Sequence, residues 1–147
     1  MSQGGMCNDG GGQGRTLSCF AYPKDKFRDK PTFVAAAFFV IDIDDARTEK
    51  LCLQGSQNWD ETVTAKTSQV NGVRFKVFQI ADNWLGGGQW GPVYRTFHDN
   101  KCYELGIQTA MERGGYDAGT IKKFTKEDNE EVQRRLNQAL NSFTFLK

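Results

Sequence analysis

The sequence predicts an α+β domain: an antiparallel β-sheet meander packed against a C-terminal amphipathic helix, with a short final strand. Three observations carry this. The dipeptides Asn71-Gly72 and Asp99-Asn100 each separate alternating apolar runs, as the two-residue turns of β-hairpins do. The run Phe33–Ile41 is continuously apolar, as in a strand buried on both faces. From Thr125 onward the apolar period changes from two to the helical value of about 3.6.

Taken in order, residues 1–18 hold six of the sixteen glycines, together with Ser, Gln, Asn and Asp, and read as a flexible leader. Residues 19–147 then make one domain. Tyr22-Pro23 opens its ordered part, and Lys24–Lys30 is a charged surface stretch stopped by Pro31. Thr32–Ile43 is the first long strand, closed by Asp42, Asp44 and Asp45; its three alanines keep a helix as the alternative. Glu61–Val70 alternates weakly into the first turn. Beyond it Val73, Phe75 and Val77 share one face and Arg74 and Lys76 the other, until the phase flips at Val77-Phe78, where a β-bulge or the end of pairing is expected. Val93–His98 and Lys101–Thr109 flank the second turn, so Glu61–Thr109 reads as four antiparallel strands. Thr125 is the N-cap of a helix over Lys126–Asn141, with Asp128 as its capping-box partner. Glu130–Arg134 and Glu131–Arg135 are i,i+4 pairs in the favourable order, and Val132, Leu136, Ala139, Leu140 and Phe143 form the apolar stripe. Ser142–Leu146 follows as the final strand.

Charge excludes some functions. With 147 residues, a net charge of +1 and 25% charged residues, the chain lacks the basic footprint of a nucleic-acid binder. The same balance disfavours adhesion to anionic membranes. The apolar run Phe33–Ile41 is too short for a membrane-spanning helix, which needs about 20 residues. The first twenty residues lack a hydrophobic signal region, so an exported form begins after its cleavage point. Leu17-Ser18-Cys19 lacks the spacing of a lipoprotein signal, and lipidation at Cys19 is not expected.

The cysteines are Cys7, Cys19, Cys52 and Cys102, none within a CxxC pair, and the single histidine is His98. Zinc sites pair closely spaced ligands, so no metal site is expected, and no cofactor. An even cysteine count in a chain with little helix favours disulfides and an oxidising, extracytoplasmic location. Of three connectivities we favour Cys52–Cys102, both in strand-like contexts (LCL and KCYEL), which leaves Cys7 to pair with Cys19; free thiols are the alternative. A catalytic Cys102–His98 pair is the sharper reading of the second hairpin, yet no neighbouring group orients His98.

The loop Asp82–Pro92, DNWLGGGQWGP, is the one stretch that looks specialised, with Trp84 and Trp90 on either side of three glycines. Exposed tryptophans offer flat apolar area to a protein or glycan, and Trp59 joins them if its loop lies at the same end. The competing reading folds both rings back over the core. The glycines lack the Lys-Ser/Thr and helix start of a phosphate loop. Asp42, Asp44 and Asp45 lack the spacing of a calcium loop, and nothing brings Glu104 and Glu112 within the separation glycosidases need.

The strings CLQG, TAK…VNGVRFKVF, YRTFHDNKCYELGI and the terminal helix with SFTFL resemble a class of bacterial secreted or lipoprotein domains over about Phe33–Leu146. In that pattern a cysteine after the first strand and a KCYEL-type cysteine recur together. The order of strands, helix and short strand is similar to PsbP/Mog1-like domains, a likeness that implies binding or assembly of other proteins rather than catalysis. The expectation is therefore a non-enzymatic extracytoplasmic binding or assembly domain centred on Trp84 and Trp90. The alternatives are a hydrolase using Cys102 and His98 or a carboxylate pair, and a structural subunit joined through its leader or Cys7. Oligomeric state is left open.

Overall fold

Two tight turns set the strand register. Asn71 (φ 50°) and Gly72 (φ 79°), and likewise Asp99 (φ 49°) and Asn100 (φ 62°), adopt the left-handed conformations that a type I′ turn demands. The computed structural model describes residues 7, 14–44, 46–55, 66–112 and 122–145. Among these, six strands form one sheet: β1 (Gly14–Ala21), β2 (Phe33–Ile43), β3 (Lys66–Val70), β4 (Val73–Trp84), β5 (Gly87–His98) and β6 (Lys101–Glu112). Their order is β1-β2-β6-β5-β4-β3, with every neighbouring pair antiparallel. A 3-10 turn, Lys24–Phe27, links β1 to β2. Helix α1 (Glu49–Gln54) follows β2, and helix α2 (Lys126–Asn141) follows β6. The α+β class holds.

Alternation along β2 and β6 divides the core into two layers. Phe38, Val40, Leu105 and Ile107 point to one face and pack with Val132, Leu136 and Leu140 of α2. Ile41, Ile43 and Cys102 lie on the opposite face, with Ala46 and Cys52 closing over them. The predicted helix forms as expected. Thr125 Oγ1 accepts from the Asp128 amide, and the Asp128 carboxylate accepts from the Thr125 amide, a complete capping box. Arg134 and Arg135 both pair with Glu131, whereas Glu130 meets Lys126 in place of the expected Arg134.

Partial burial pushes the Asp128 carboxyl up, but the Lys30 ammonium and the Thr125 donors outweigh it and hold it below its ordinary value. A carboxyl lowered in the folded state stabilises the fold above its unfolded pKa of about 3.9 and loses that contribution as pH falls below it. Asp128→Ala should therefore cost about 1 kcal/mol at neutral pH. In urea unfolding, the gap from wild type should close under acid conditions as the wild-type carboxyl takes up its proton.

Four expectations are corrected. Gly14–Ser18, expected within the leader, belong to β1 and pair with the far half of β2. Gly14 is small because of contact: a Cβ there would lie 1.9 Å from the Asp42 carbonyl oxygen. The LCL context of Cys52 is helical, with Thr48 Oγ1 capping α1 through the Leu51 amide. A three-residue apolar run does not separate helix from strand. Asp82–Pro92 is no long loop: β4 and β5 pair without a register shift from Lys76–Arg95 to Trp84–Gly87, leaving Leu85-Gly86 as the turn. Through Val77-Phe78 β4 keeps an unbroken register against β5, so no β-bulge interrupts that pairing. Finally, 142–145 form no strand. Asn71 Nδ2 donates to the carbonyls of Asn141 (2.7 Å) and Phe143 (2.8 Å), so a hairpin turn, not a strand ladder, satisfies the end of α2.

Candidate functional site

Of the three glycines that suggest a loop, two serve as a floor for tryptophan rings. Gly86 (φ 89°) makes the turn. A Cβ on Gly87 would come within 2.7 Å of Trp84 Nε1, and one on Gly88 within 2.6 Å of Trp90 Cζ2. The Trp84 indole therefore lies across Gly87 on the strand opposite, and the Trp90 indole over Gly88, two positions before it on its own strand, each in space only glycine leaves. Trp84 pairs with Gly87 and Trp90 with Ala81, an even and an odd position of β4, so the two rings occupy opposite faces of the hairpin. They do not form a shared platform. Trp90 is half-buried, whereas Trp84 is 45% exposed and Leu85 at the tip is fully exposed. Leu85 carried no signal in the sequence beyond its place between tryptophan and glycine. Trp59 lies outside the described residues.

The second hairpin carries covalent structure. Cys52 and Cys102 form a disulfide with Cα atoms 5.5 Å apart, tying α1 to β6. Cys7 and Cys19 form the other, and no cysteine is free. Cys102 is fully buried, and its sulfur is in a bond rather than a thiolate, so the Cys102–His98 nucleophile is not assembled. Cys7 likewise has no sulfur left to link protomers. His98 stacks on Phe145 with ring centroids 3.8 Å apart, and its Nε2 lies 3.3 Å from Asp99.

The carboxylate pair fails on distance. Glu104 and Glu112 sit eight positions apart on β6, roughly 27 Å at strand rise. Glu104 is buried and paired: Arg95, directly opposite on β5, places Nε 3.2 Å from its Oε1. Arg95 also donates from its terminal nitrogen to the Cys52 carbonyl at 3.3 Å. Burial pushes the Glu104 carboxyl up, and the Arg95 guanidinium pulls back against it. This ion pair, which the sequence did not suggest, ties α1, β5 and β6 together beside the disulfide. Asp42 sits within β2 between Arg15 and Tyr103.

At the turn end of the sheet the ladder between β4 and β5 stops at Lys76–Arg95. Val73–Phe75 remain paired with β3, and Thr96–His98 with β6. The resulting fork opens a cavity of about 800 Å³ between the two hairpins, with α1 on one side and Thr144-Phe145 on the other. A smaller groove of about 480 Å³ runs between Leu17 on β1 and the end of α2 at Ala139 and Phe143.

No described helix is long and apolar enough to cross a membrane. No protein-family model matches the chain, and no curated protein matches it.

Proposed function

We propose that this chain is an extracytoplasmic domain that binds or helps assemble another protein, meeting it with the tip of the β4–β5 hairpin. The observation that carries this reading is the apolar pair Trp84 and Leu85, exposed at a tip whose strands are paired up to Trp84–Gly87. Tryptophan is enriched among the few residues that dominate protein contacts. A protein is favoured over a glycan because Trp84 and Trp90 face opposite sides and offer no continuous aromatic platform. Two disulfides in 147 residues support an oxidising compartment. The likeness of CLQG and KCYEL to bacterial secreted domains points the same way. Binding is favoured over catalysis because Cys102 is held in a disulfide and Glu104 in an ion pair.

The test is Trp84→Ala, made on a side chain that packs on glycine at the surface. Its thermal midpoint should stay within about 2 °C of wild type, since surface substitutions cost little. Retention of the partner from an extract of the compartment where the protein resides should fall at least about tenfold. Retention equal to wild type, with the fold intact, means the tip is not the contact.

A further inference from the structure

The fork between the hairpins is a second site, independent of the tip. Its walls differ in charge. Arg74 and Lys76 stand on the β4 side, while Glu49 of α1 and Asp99 of the β5–β6 turn stand on the other. Phe97 lies between them on the α1 face, and the His98–Phe145 stack lines the opening on the opposite face. Turn geometry adds main-chain groups. In each two-residue hairpin the residues flanking the turn, Val70–Val73 and His98–Lys101, form the closing hydrogen-bonded pair. The next residues, Arg74 and Phe97, therefore direct their peptide N–H and C=O away from their own partners and into the fork, beyond the last β4–β5 ladder pair.

We infer that this fork binds a short zwitterionic peptide. Its carboxylate end would lie against Arg74 and Lys76, and its ammonium end against Glu49 and Asp99. An apolar side chain would rest on Phe97, on the α1 face of the opening, while its main chain meets the peptide groups of Arg74 and Phe97. The volume of about 800 Å³ is within the range of ligand pockets and accommodates two or three residues. Four charged side chains split by sign across one opening match a ligand with opposite charges at its two ends, and match a simple anion or cation less well.

The experiment is a titration of the full, oxidised chain, labelled with nitrogen-15, with the tripeptide Ala-Phe-Ala bearing free ends. Saturable shifts are expected at the amides of Arg74, Lys76, Phe97 and His98, and not at Trp84 or Leu85. The same tripeptide acetylated and amidated should bind about fivefold more weakly, as should the free tripeptide to Glu49→Gln or Arg74→Gln, the upper end for exposed ion pairs. Both substituted side chains are exposed, and the amide spectrum reports that each variant is folded. Trp84→Ala should bind the tripeptide as wild type does, which separates this site from the tip. Absence of saturable shifts at millimolar tripeptide, shifts centred elsewhere, or equal binding of the blocked tripeptide would overturn the proposal.

Discussion

Arg95→Met should cost the fold about 3–5 kcal/mol, because it strands the Glu104 carboxylate in the interior without its cation. Arg95 and Glu104 face each other on adjacent strands, both nearly fully buried, with the Cys52 carbonyl as a further acceptor. The loss should be strongly pH-dependent. A buried carboxyl without Arg95 is pushed further above its ordinary value, so the folded state holds the proton that the unfolded chain releases above about pH 4.3. Such a group makes stability fall as pH rises from the unfolded pKa to the folded one. The deficit should be greatest at pH 7 and shrink towards pH 4 in urea titrations. Arg95→Met with Glu104→Leu should recover most of the loss, since a buried ion pair is replaced by apolar contact. A single variant as stable as wild type at pH 7 would show that the pair is not sealed from water.

Removing the inner disulfide should have an effect of similar size. Cys52 and Cys102 close a loop of 50 positions, which on the chain-entropy model is worth about 4 kcal/mol. Cys7–Cys19 spans only 12 positions and should be worth about 3 kcal/mol. Both members of the inner pair are fully buried, so Cys52→Ala with Cys102→Ala also leaves a small void. That double variant should therefore lose more than Cys7→Ala with Cys19→Ala, measured by urea midpoint. Equal losses would mean that α1 is held by Arg95 and the packing of Leu53 rather than by the covalent bond.

The parts of the fold legible in the sequence are those with local chemical signatures. Asn71-Gly72 and Asp99-Asn100 announce their turns because few residues accept positive φ. Thr125 and Asp128 announce the start of α2 because both side chains act on neighbouring amides. What the sequence hides depends on partners distant along the chain. β1 is a strand because β2 offers it an edge, not because its own residues alternate; Leu17 and Phe20 stay exposed. Gly87 and Gly88 read as loop residues because the rings that fill their space belong to Trp84, set opposite Gly87 by strand pairing, and to Trp90, set beside Gly88 by the extended course of β5. Phe143 and Phe145 look like strand residues yet join an aromatic cluster with Phe75, Tyr103 and His98. For the candidate site, the sequence picked out Trp84 but not the opposed facing of Trp90. It also held no sign of the fork, which exists only where two ladders part.

The most direct test of the central claim is site-specific photocrosslinking with a photoreactive amino acid at position 85, compared with the exposed helix position 127, in cells that make the protein. Leu85 is fully exposed at the tip and Glu127 lies at the surface of α2, so neither replacement disturbs the core. The tip-contact account predicts one dominant crosslinked protein from position 85, absent from 127 and lost when Trp84→Ala is added. Crosslinks of equal yield and pattern from both positions, or none from 85 while the partner is still retained, would contradict it.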